Sequence, residues 1–232
     1  MFTVRPAKDR GRTRAGWLDS RHSFSFADYH DPRQMGVSSL RVINEDRVDP
    51  GAGFPPHGHR NMEIVSIVLD GAMQHRDSSG GGAVLRPGEV QLMHAGTGVS
   101  HSEFNASDSE PLHFLQIWIL PTAPGGQPGY AQRAYFEAGE QSAIRRILDP
   151  DGRDGALPIR QDACAWQARL QAGERLDLPL EPHRQGWLQL ARGTLANGDL
   201  QLKAGDGLHI RCQAYPSVRA INDAEFVFFD LV

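Results

Sequence analysis

The sequence predicts an all-β protein that contains two small β-barrels in one chain. Three observations support this fold class. The 232 residues include 25 glycines and 15 prolines, which favour many turns and short strands over long helices. Short apolar runs rich in β-branched residues recur between Gly, Pro, Asp and Asn. Features of the first half return loosely in the second half, for example residues 85–90 and residues 202–207.

In the first half, the apolar runs predict strands at residues 40–43, 64–69, 83–85 and 90–93. Asp70-Gly71 lies between two runs and predicts a hairpin turn. The stretch before residue 36 carries a small basic cluster, which we expect to be a solvated arm or a strand edge. Its members are Arg5, Lys8, Arg10, Arg12 and Arg14.

A segment rich in proline and glycine, residues 121–129, predicts a linker between the two halves. We place the first domain at residues 1–125 and the second at residues 126–232. Strand-like runs in the second half are residues 163–170, 186–190, 207–210 and 225–231. Residues 141–148 fit a short helix or another strand equally well.

Composition and charge exclude several classes of protein. Lysine plus arginine total 24 and aspartate plus glutamate 28, so the net charge of −4 argues against binding of nucleic acid through a broad basic surface. The opening residues lack the apolar core of a signal peptide, and the most apolar stretch, residues 114–120, is too short to span a bilayer. We predict a soluble, cytoplasmic monomer with no membrane or nucleic-acid partner.

The chain contains two cysteines, Cys164 and Cys212. This number excludes a disulfide scaffold and any cysteine-rich zinc or iron–sulfur site. We expect two free thiols, with a single bridge between them as the alternative.

Two pairs of metal-binding residue types occur at a spacing of two residues. His57 and His59 form the first pair, and His101 and Glu103 the second. In a strand, residues i and i+2 point to the same face, so two such strands facing each other in a barrel would bring four ligands together. Three imidazoles and a carboxylate suit Fe(II), Mn, Ni, Cu or Zn and leave positions open for water, substrate or dioxygen. With 10 histidines in the chain, a single His-x-His would more often be a surface pair.

Several segments resemble a known family. Residues 51–63, followed by Gly71, look like the first cupin motif, and residues 86–103 resemble the second motif of pirins more narrowly. Residues 16–32, 40–46 and 75–80 are also similar to bacterial pirins, so the likeness is dense in the first half and loose in the second. It implies a bicupin fold of two double-stranded β-helix (jelly-roll-like) barrels, with metal in the N-terminal barrel alone and the C-terminal barrel degenerate.

The resemblance implies that the metal ligands are His57, His59, His101 and Glu103. Most cupins would place the carboxylate ligand at Glu63 instead. We expect Glu63 to orient an imidazole or to make a hydrogen bond in the core. The sequence departs from pirins at His94 and at Asn61-Met62, which bears on the shape of the pocket. In the second half, we expect His183 and His209 to be structural or surface residues.

Pirins of this type are associated with quercetin 2,3-dioxygenase activity, and the resemblance implies that activity here. The protein would open the central ring of flavonols such as quercetin with O2 and release CO. The cofactor would be one divalent transition metal, Fe(II) first, with Zn, Cu, Ni, Mn or Co as alternatives. Glu103 would be ligand and catalytic proton acceptor in one. Phe54, Met62 and Met93 are candidates to pack against the planar substrate, with core filling as their alternative role.

Two other functions are compatible with the same ligands. The first is a non-enzymatic regulator that responds to metal or redox state and acts by binding a partner, with the arginine-rich first segment in the interacting surface. The second is a structural metal closed off by its ligands.

Overall fold

The structure, a computed structural model, describes residues 1–78, 80–211 and 216–232. The described residues form 22 strands and two short 3-10 helices, Ala7–Asp9 and Arg153–Gly155. The strands make four sheets, and each half of the chain builds a barrel from one seven-stranded and one four-stranded sheet. The all-β prediction and the two-barrel prediction are confirmed. No helix in the described part of the chain is long and apolar enough to cross a membrane.

The N-terminal barrel pairs a large sheet with a small one. In spatial order, the large sheet contains β12 (Gly129–Ala134), β9 (Glu89–His94), β6 (Glu63–Asp70), β11 (Leu112–Ile119), β4 (Leu40–Val48), β3 (Leu18–His22) and β2 (Gly11–Ala15). The small sheet contains β5 (Gly53–His59), β10 (Val99–Asn105), β7 (Met73–Asp77) and β8 (Gly82–Leu85). The strands predicted in this half all fall within these elements.

The C-terminal barrel repeats this plan. Its large sheet contains β1 (Phe2–Arg5), β20 (Gly207–Arg211), β17 (Gln185–Arg192), β22 (Ala224–Leu231), β15 (Ala163–Leu170), β13 (Ala143–Asp149) and β14 (Leu157–Pro158). Its small sheet contains β16 (Arg175–Asp177), β21 (Ser217–Ala220), β18 (Thr194–Asn197) and β19 (Leu200–Lys203). Residues 141–148, which the sequence left open between helix and strand, contribute to β13.

Each barrel receives one strand from the other half of the chain. β1 pairs with β20, with Phe2 opposite Ile210. β12, which follows the predicted linker, pairs with β9, with Gly129 opposite His94. The domain boundary at residue 125 stays a prediction, and these two strands extend the sheets across it.

Alternation along the strands separates two kinds of core. In β6, Val65 and Ile67 belong to an apolar cluster shared by both barrels, which also contains Trp187 and Phe229 from the second barrel. The interior of the C-terminal barrel holds an apolar cluster of its own, with Phe226 and Phe228 among its members. The two large sheets therefore pack against each other through their outer faces.

The interior of the N-terminal barrel contains polar residues between two apolar clusters. One cluster includes Met73 and Phe114, and the other includes Ile64 and Met93. Between them, alternate inward positions of β6, β9 and β11 carry Ser66, Gln91 and Gln116, all buried. This buried polar layer is the part of the fold that positions the candidate site.

The hairpin predicted at Asp70-Gly71 is wrong. β6 pairs with β9 and β11, while β7 pairs with β8 and β10, so the chain crosses here from the large sheet to the small one. Gly71 has a φ of +79°, and a Cβ there would lie 2.6 Å from the carbonyl oxygen of Pro111. Gly193 makes the corresponding crossover between β17 and β18 with a φ of +80°.

The expected solvated arm is wrong for Arg5 and Arg10, whereas the alternative, a strand edge, holds for Arg5, which lies in the edge strand β1. Arg5 and Arg10 are both 8% exposed. The guanidinium of Arg5 donates to the carbonyl of Ser23, and that of Arg10 pairs with Glu45 at 2.7 Å. These side chains therefore tie the first segment to the interior, because a buried charge needs a partner.

The prediction for the cysteines is tested in part. Cys164 is a free thiol, and burial raises its pKa to about 11, with the nearby charge of Asp149 adding to the effect. Cys212 lies outside the described residues.

Candidate metal centre

Three histidines converge on the inner face of the small sheet of the N-terminal barrel. β5 and β10 are antiparallel neighbours, with His57 directly opposite His101. One ring nitrogen from each of His57, His59 and His101 can be chosen so that all lie within 4.8 Å of one another. The two predicted pairs thus meet across adjacent strands of one sheet, whereas we expected two strands facing each other. The i, i+2 spacing serves the same purpose in either arrangement.

Glu103 lies beside this triad through His101. It forms a second close group with His101 and His75, again with one ligand atom from each within 4.8 Å. Its two carboxylate oxygens accept hydrogen bonds from residues of the polar layer, at 2.7 Å from the amide of Gln116 and 3.2 Å from the hydroxyl of Ser66. These bonds fix the orientation of the carboxylate. That the four predicted residues bind a metal stays a prediction.

His75 is the residue of this centre that the sequence reasoning missed. It is fully buried on β7, directly opposite Glu103. Its Nε2 lies 3.1 Å from Asp77, and its Nδ1 lies 3.5 Å from Nδ1 of His101. A signal was present, because His75 and Asp77 are themselves an i, i+2 pair just before a glycine-rich turn.

The residues present fit a divalent metal. Nε2 of His101 is buried and has no hydrogen-bond partner among the described residues, an arrangement that a bound ion would satisfy. Nδ1 of His57 lies 2.9 Å from the carbonyl of Pro55, which makes that nitrogen the donor and leaves Nε2 with a free lone pair. The donor set of imidazoles and a carboxylate is the one that transition metals prefer.

Burial sets the charge of the centre. It lowers the pKa of His59 to about 4 and that of His101 to about 3, and repulsion from His57 adds to both shifts. Both rings are therefore neutral at pH 7, as metal ligands must be. Burial raises the pKa of Glu103, although the hydrogen bond from Gln116 opposes the shift.

A cavity of about 330 Å³ opens beside the centre. Its lining includes His57, His59 and Glu103. The remaining lining residues are Thr13, Leu18, Ser20, His22, Phe26, Ala27, Asn44, Asp46, Phe54, Pro55, Pro56, Gln116 and Trp118. Of the three residues suggested to pack against a substrate, Phe54 lines this cavity, whereas Met93 is buried in the core cluster around Ile64 and Met62 packs against that cluster.

Glu63 has one of its two expected roles, since it orients an imidazole. The chain turns between His59 and Glu63, because β5 ends at His59, Asn61 has a φ of +53°, and β6 begins at Glu63. The carboxylate of Glu63 lies 2.6 Å from Nδ1 of His94 and accepts a hydrogen bond from the backbone N–H of Arg160. Glu63 does orient an imidazole, but it is that of His94 and not that of a candidate ligand.

The histidines of the second half lie apart from this centre. His183 is exposed in a turn, and His209 is a half-buried residue of β20 that lies 3.0 Å from the amide oxygen of Gln185. Both positions agree with the expected structural or surface role. Within the described part of the chain, the two groups with the geometry of a metal site both lie in the N-terminal barrel.

Comparisons with known proteins agree with this architecture. The Pirin family model matches residues 3–119, and a model described as a quercetinase C-terminal cupin domain matches residues 146–231. The chain is 42% identical over 231 residues to a protein of Escherichia coli strain K12 named quercetin 2,3-dioxygenase, covering 100% of this chain and 99% of the relative. It is 39% identical to a pirin-like protein of Caulobacter vibrioides, covering 99% of each chain.

Solved structures give the same result. The crystal structure of the bacterial pirin YhhW of Escherichia coli, in complex with nickel(II), superposes with a TM-score of 0.94 at 41% identity, covering 100% of this chain and 99% of that one. A quercetin 2,3-dioxygenase of Acinetobacter baumannii shares the fold at 20% identity, with a TM-score of 0.82 and coverage of 99% and 85%. With two cupin barrels, family-model matches to both halves and close relatives along its whole length, the chain belongs to the pirin family.

Proposed function

We propose that this protein is a metal-dependent dioxygenase that opens the central ring of flavonols with O2 and releases CO. One observation carries the proposal: His101, buried and with Nε2 unpartnered, lies where His57 and His59 converge beside a cavity of about 330 Å³. The names of the relatives and the nickel-bound pirin structure support it. The four proposed ligands are His57, His59, His101 and Glu103.

When bound, the metal would supply a Lewis acid next to the cavity and a place for dioxygen to react. Candidate ions are Fe(II), Ni, Zn, Cu, Mn and Co, and the donor set fits several of them. Fe(II) is our first choice. The nickel in the structure of the relative makes Ni(II) the first alternative to test.

The residues of the chain would prepare the substrate. The aromatic side chains of Phe26, Phe54 and Trp118 line the cavity and would hold a planar ring system away from water. Glu103, which lines the same cavity, would accept the proton that a flavonol hydroxyl loses as it ionises. Gln116 and Ser66 would keep the carboxylate aimed during this transfer.

The test combines metal analysis with oxygen uptake. Protein freed of metal is reconstituted without oxygen with each candidate ion, mixed with quercetin, and then exposed to O2. We expect quercetin consumption, O2 uptake and CO release in equal amounts. His101→Ala should lose bound metal and turnover together, while His209→Ala, which changes a histidine of the second barrel, should keep both.

Two outcomes would overturn the proposal. If His101→Ala retains the metal content of the wild-type protein, the ligand assignment is wrong. If wild-type protein binds metal but consumes no O2 with any flavonol, the enzyme assignment is wrong, and the regulator predicted as the alternative takes its place.

A further inference from the structure

The cavity beside the candidate metal centre contains two buried polar groups without partners. Asp46 is 3% exposed, and its Oδ1 has no hydrogen-bond partner among the described residues. Trp118 also lines the cavity, and its indole N–H is buried and equally unpartnered. An unpaired acceptor and an unpaired donor in one cavity are unusual, because leaving each unsatisfied costs about 1–3 kcal/mol.

The strands explain why Asp46 faces the cavity. Alternate residues of β4 point into the barrel, so Asn44, Asp46 and Val48 face inward, while Glu45 between them pairs with Arg10. In neighbouring β3, Ser20 and His22 occupy the matching inward positions, and Ser20 lies opposite Asp46. β3 and β4 therefore form one polar wall of the cavity.

The imidazole of His22, on the same wall as Asp46, is already paired. His22 lies 2.8 Å from the amide oxygen of Asn44 through Nδ1 and 2.9 Å from the hydroxyl of Thr13 through Nε2. These bonds use both ring nitrogens of His22. Among the buried side-chain atoms of this wall that the structure describes, Asp46 Oδ1 is the one without a hydrogen-bond partner.

We propose that Asp46 and Trp118 recognise the substrate: the carboxyl group of Asp46 binds a phenolic hydroxyl, and the indole N–H of Trp118 donates to a second ligand oxygen. The substrate class is then a planar aromatic compound with several hydroxyls, since Phe26, Phe54 and Trp118 offer aromatic surface in the same cavity. This inference rests on the proposed function and deepens it. We place the flavonol hydroxyl that ionises, the one beside the ketone, at Glu103 on the metal side of the cavity, so Asp46 takes one of the other hydroxyls.

The ionisation of Asp46 agrees with such a role. Burial raises its pKa to about 7, the nearby charges of Glu103 and Glu45 add to the shift, and hydrogen bonding to Ser20 offsets part of it. A carboxyl group that is costly to keep ionised and unpaired gains most from a ligand hydroxyl.

The test measures binding of two ligands to metal-loaded protein without oxygen, by quenching of tryptophan fluorescence and by calorimetry. The ligands are quercetin and the parent flavonol, which keeps only the hydroxyl beside the ketone. Asp46→Ala should weaken quercetin binding about tenfold or more and leave binding of the parent flavonol unchanged. Asp46→Asn, which keeps an acceptor oxygen in place, should retain most of the affinity. Trp118→Phe, which keeps an aromatic ring, should weaken the binding of both ligands. Its affinities are measured by calorimetry alone, because the variant lacks one of the fluorescent tryptophans.

Controls separate recognition from folding. Asp49→Asn changes an exposed carboxylate three residues along the chain and should leave every affinity unchanged. Metal content should be equal in all variants. Asp46→Asn should not lower the thermal midpoint of the ligand-free protein, because it removes a buried carboxyl group that has an unpaired oxygen. If the main role of Asp46 were to stabilise the fold, the midpoint would fall.

The failures can be told apart. If wild-type protein binds neither flavonol, the proposed function and this inference both fall. If wild-type protein binds both ligands but Asp46→Ala weakens them equally, or weakens neither, the role of Asp46 is wrong and the proposed function stands. If Trp118→Phe binds both ligands as tightly as the wild type, the role of the indole N–H is wrong and the proposed function stands.

Discussion

At the scale of single residues, the centre depends on which nitrogen of each imidazole carries a proton. Nε2 of His75 lies 3.1 Å from Asp77, so it is the donor, and Nδ1 of His75 is left to accept from Nδ1 of His101. This relay of hydrogen bonds, from His101 through His75 to Asp77, leaves Nε2 of His101 with a lone pair. Hydrogen bonds that set the tautomer of a ligand in this way support metal affinity.

His75→Ala should therefore weaken metal binding about tenfold to a hundredfold without abolishing it. His101 loses the partner that fixes its tautomer, but the proposed ligand itself remains in place. The measurement is a competition titration against a chelator at pH 7. His209→Ala is the matched control in the second barrel, and an affinity equal to that of the wild type in His75→Ala would show that the relay does not support the site.

The residues of the site were predictable to the extent that they lie close together in sequence. The spacing of His57 with His59 and of His101 with Glu103 was sufficient to predict that each pair shares a face. His75 was not predictable in this way, because its closeness to Glu103 comes from the register of β7 against β10. Asp46 was missed for the same reason, since only the closed barrel makes its side chain part of the cavity.

At the scale of elements, the crossover at Gly71 replaces the hairpin that its sequence suggests. The Asp70-Gly71 pair correctly indicates a turn in which Gly71 has a positive φ. It carries no information on which strand lies beside β6. Apolar alternation, by contrast, predicted the strands themselves, because burial of one face depends on the segment alone. Pairing partners distant in sequence are what local patterns cannot provide.

Gly71→Ala should destabilise the protein by at least about 2 kcal/mol, because the new Cβ meets the Pro111 carbonyl and the backbone keeps a positive φ. Gly139→Ala is a close control, since its φ of +78° almost equals the +79° of Gly71 and nothing lies within 4 Å of the new Cβ. The control should cost about 1 kcal/mol. Urea unfolding measures both, and equal losses would mean that contact with Pro111 is unimportant.

At the scale of the whole molecule, a buried ion pair holds the first segment against the N-terminal barrel. Glu45 pairs with Arg10 at 2.7 Å and lies 2.9 Å from Nε2 of His113. Burial alone would raise the pKa of Glu45, but the hydrogen bond with His113 and the charge of Arg10 outweigh it and lower the pKa to about 2. A carboxylate with a lowered pKa stabilises the fold above its unfolded value of 4.5 and loses that contribution as the pH falls towards 2.

Glu45→Gln should cost about 3 kcal/mol at pH 7, because Arg10 is left buried beside a neutral group. The difference from the wild type should shrink as the pH falls from 4.5 towards 2, since the wild-type carboxylate is then protonated too. Urea unfolding at a series of pH values measures it. A difference that stays constant over that range would mean that the charge of Glu45 does not stabilise the fold.

The two barrels should unfold together, because they share one apolar cluster and each contains a strand from the other half of the chain, β1 or β12. Calorimetry should show a single transition with equal calorimetric and van't Hoff enthalpies. Removing residues 1–4 takes most of β1 from the large sheet of the second barrel, keeps Arg5 with its hydrogen bond to Ser23, and should lower the midpoint for both barrels at once. Removing Val232, which is 59% exposed, should leave the midpoint where it was. Two separate transitions, or a truncation that affects the second barrel alone, would show that the shared cluster does not couple them.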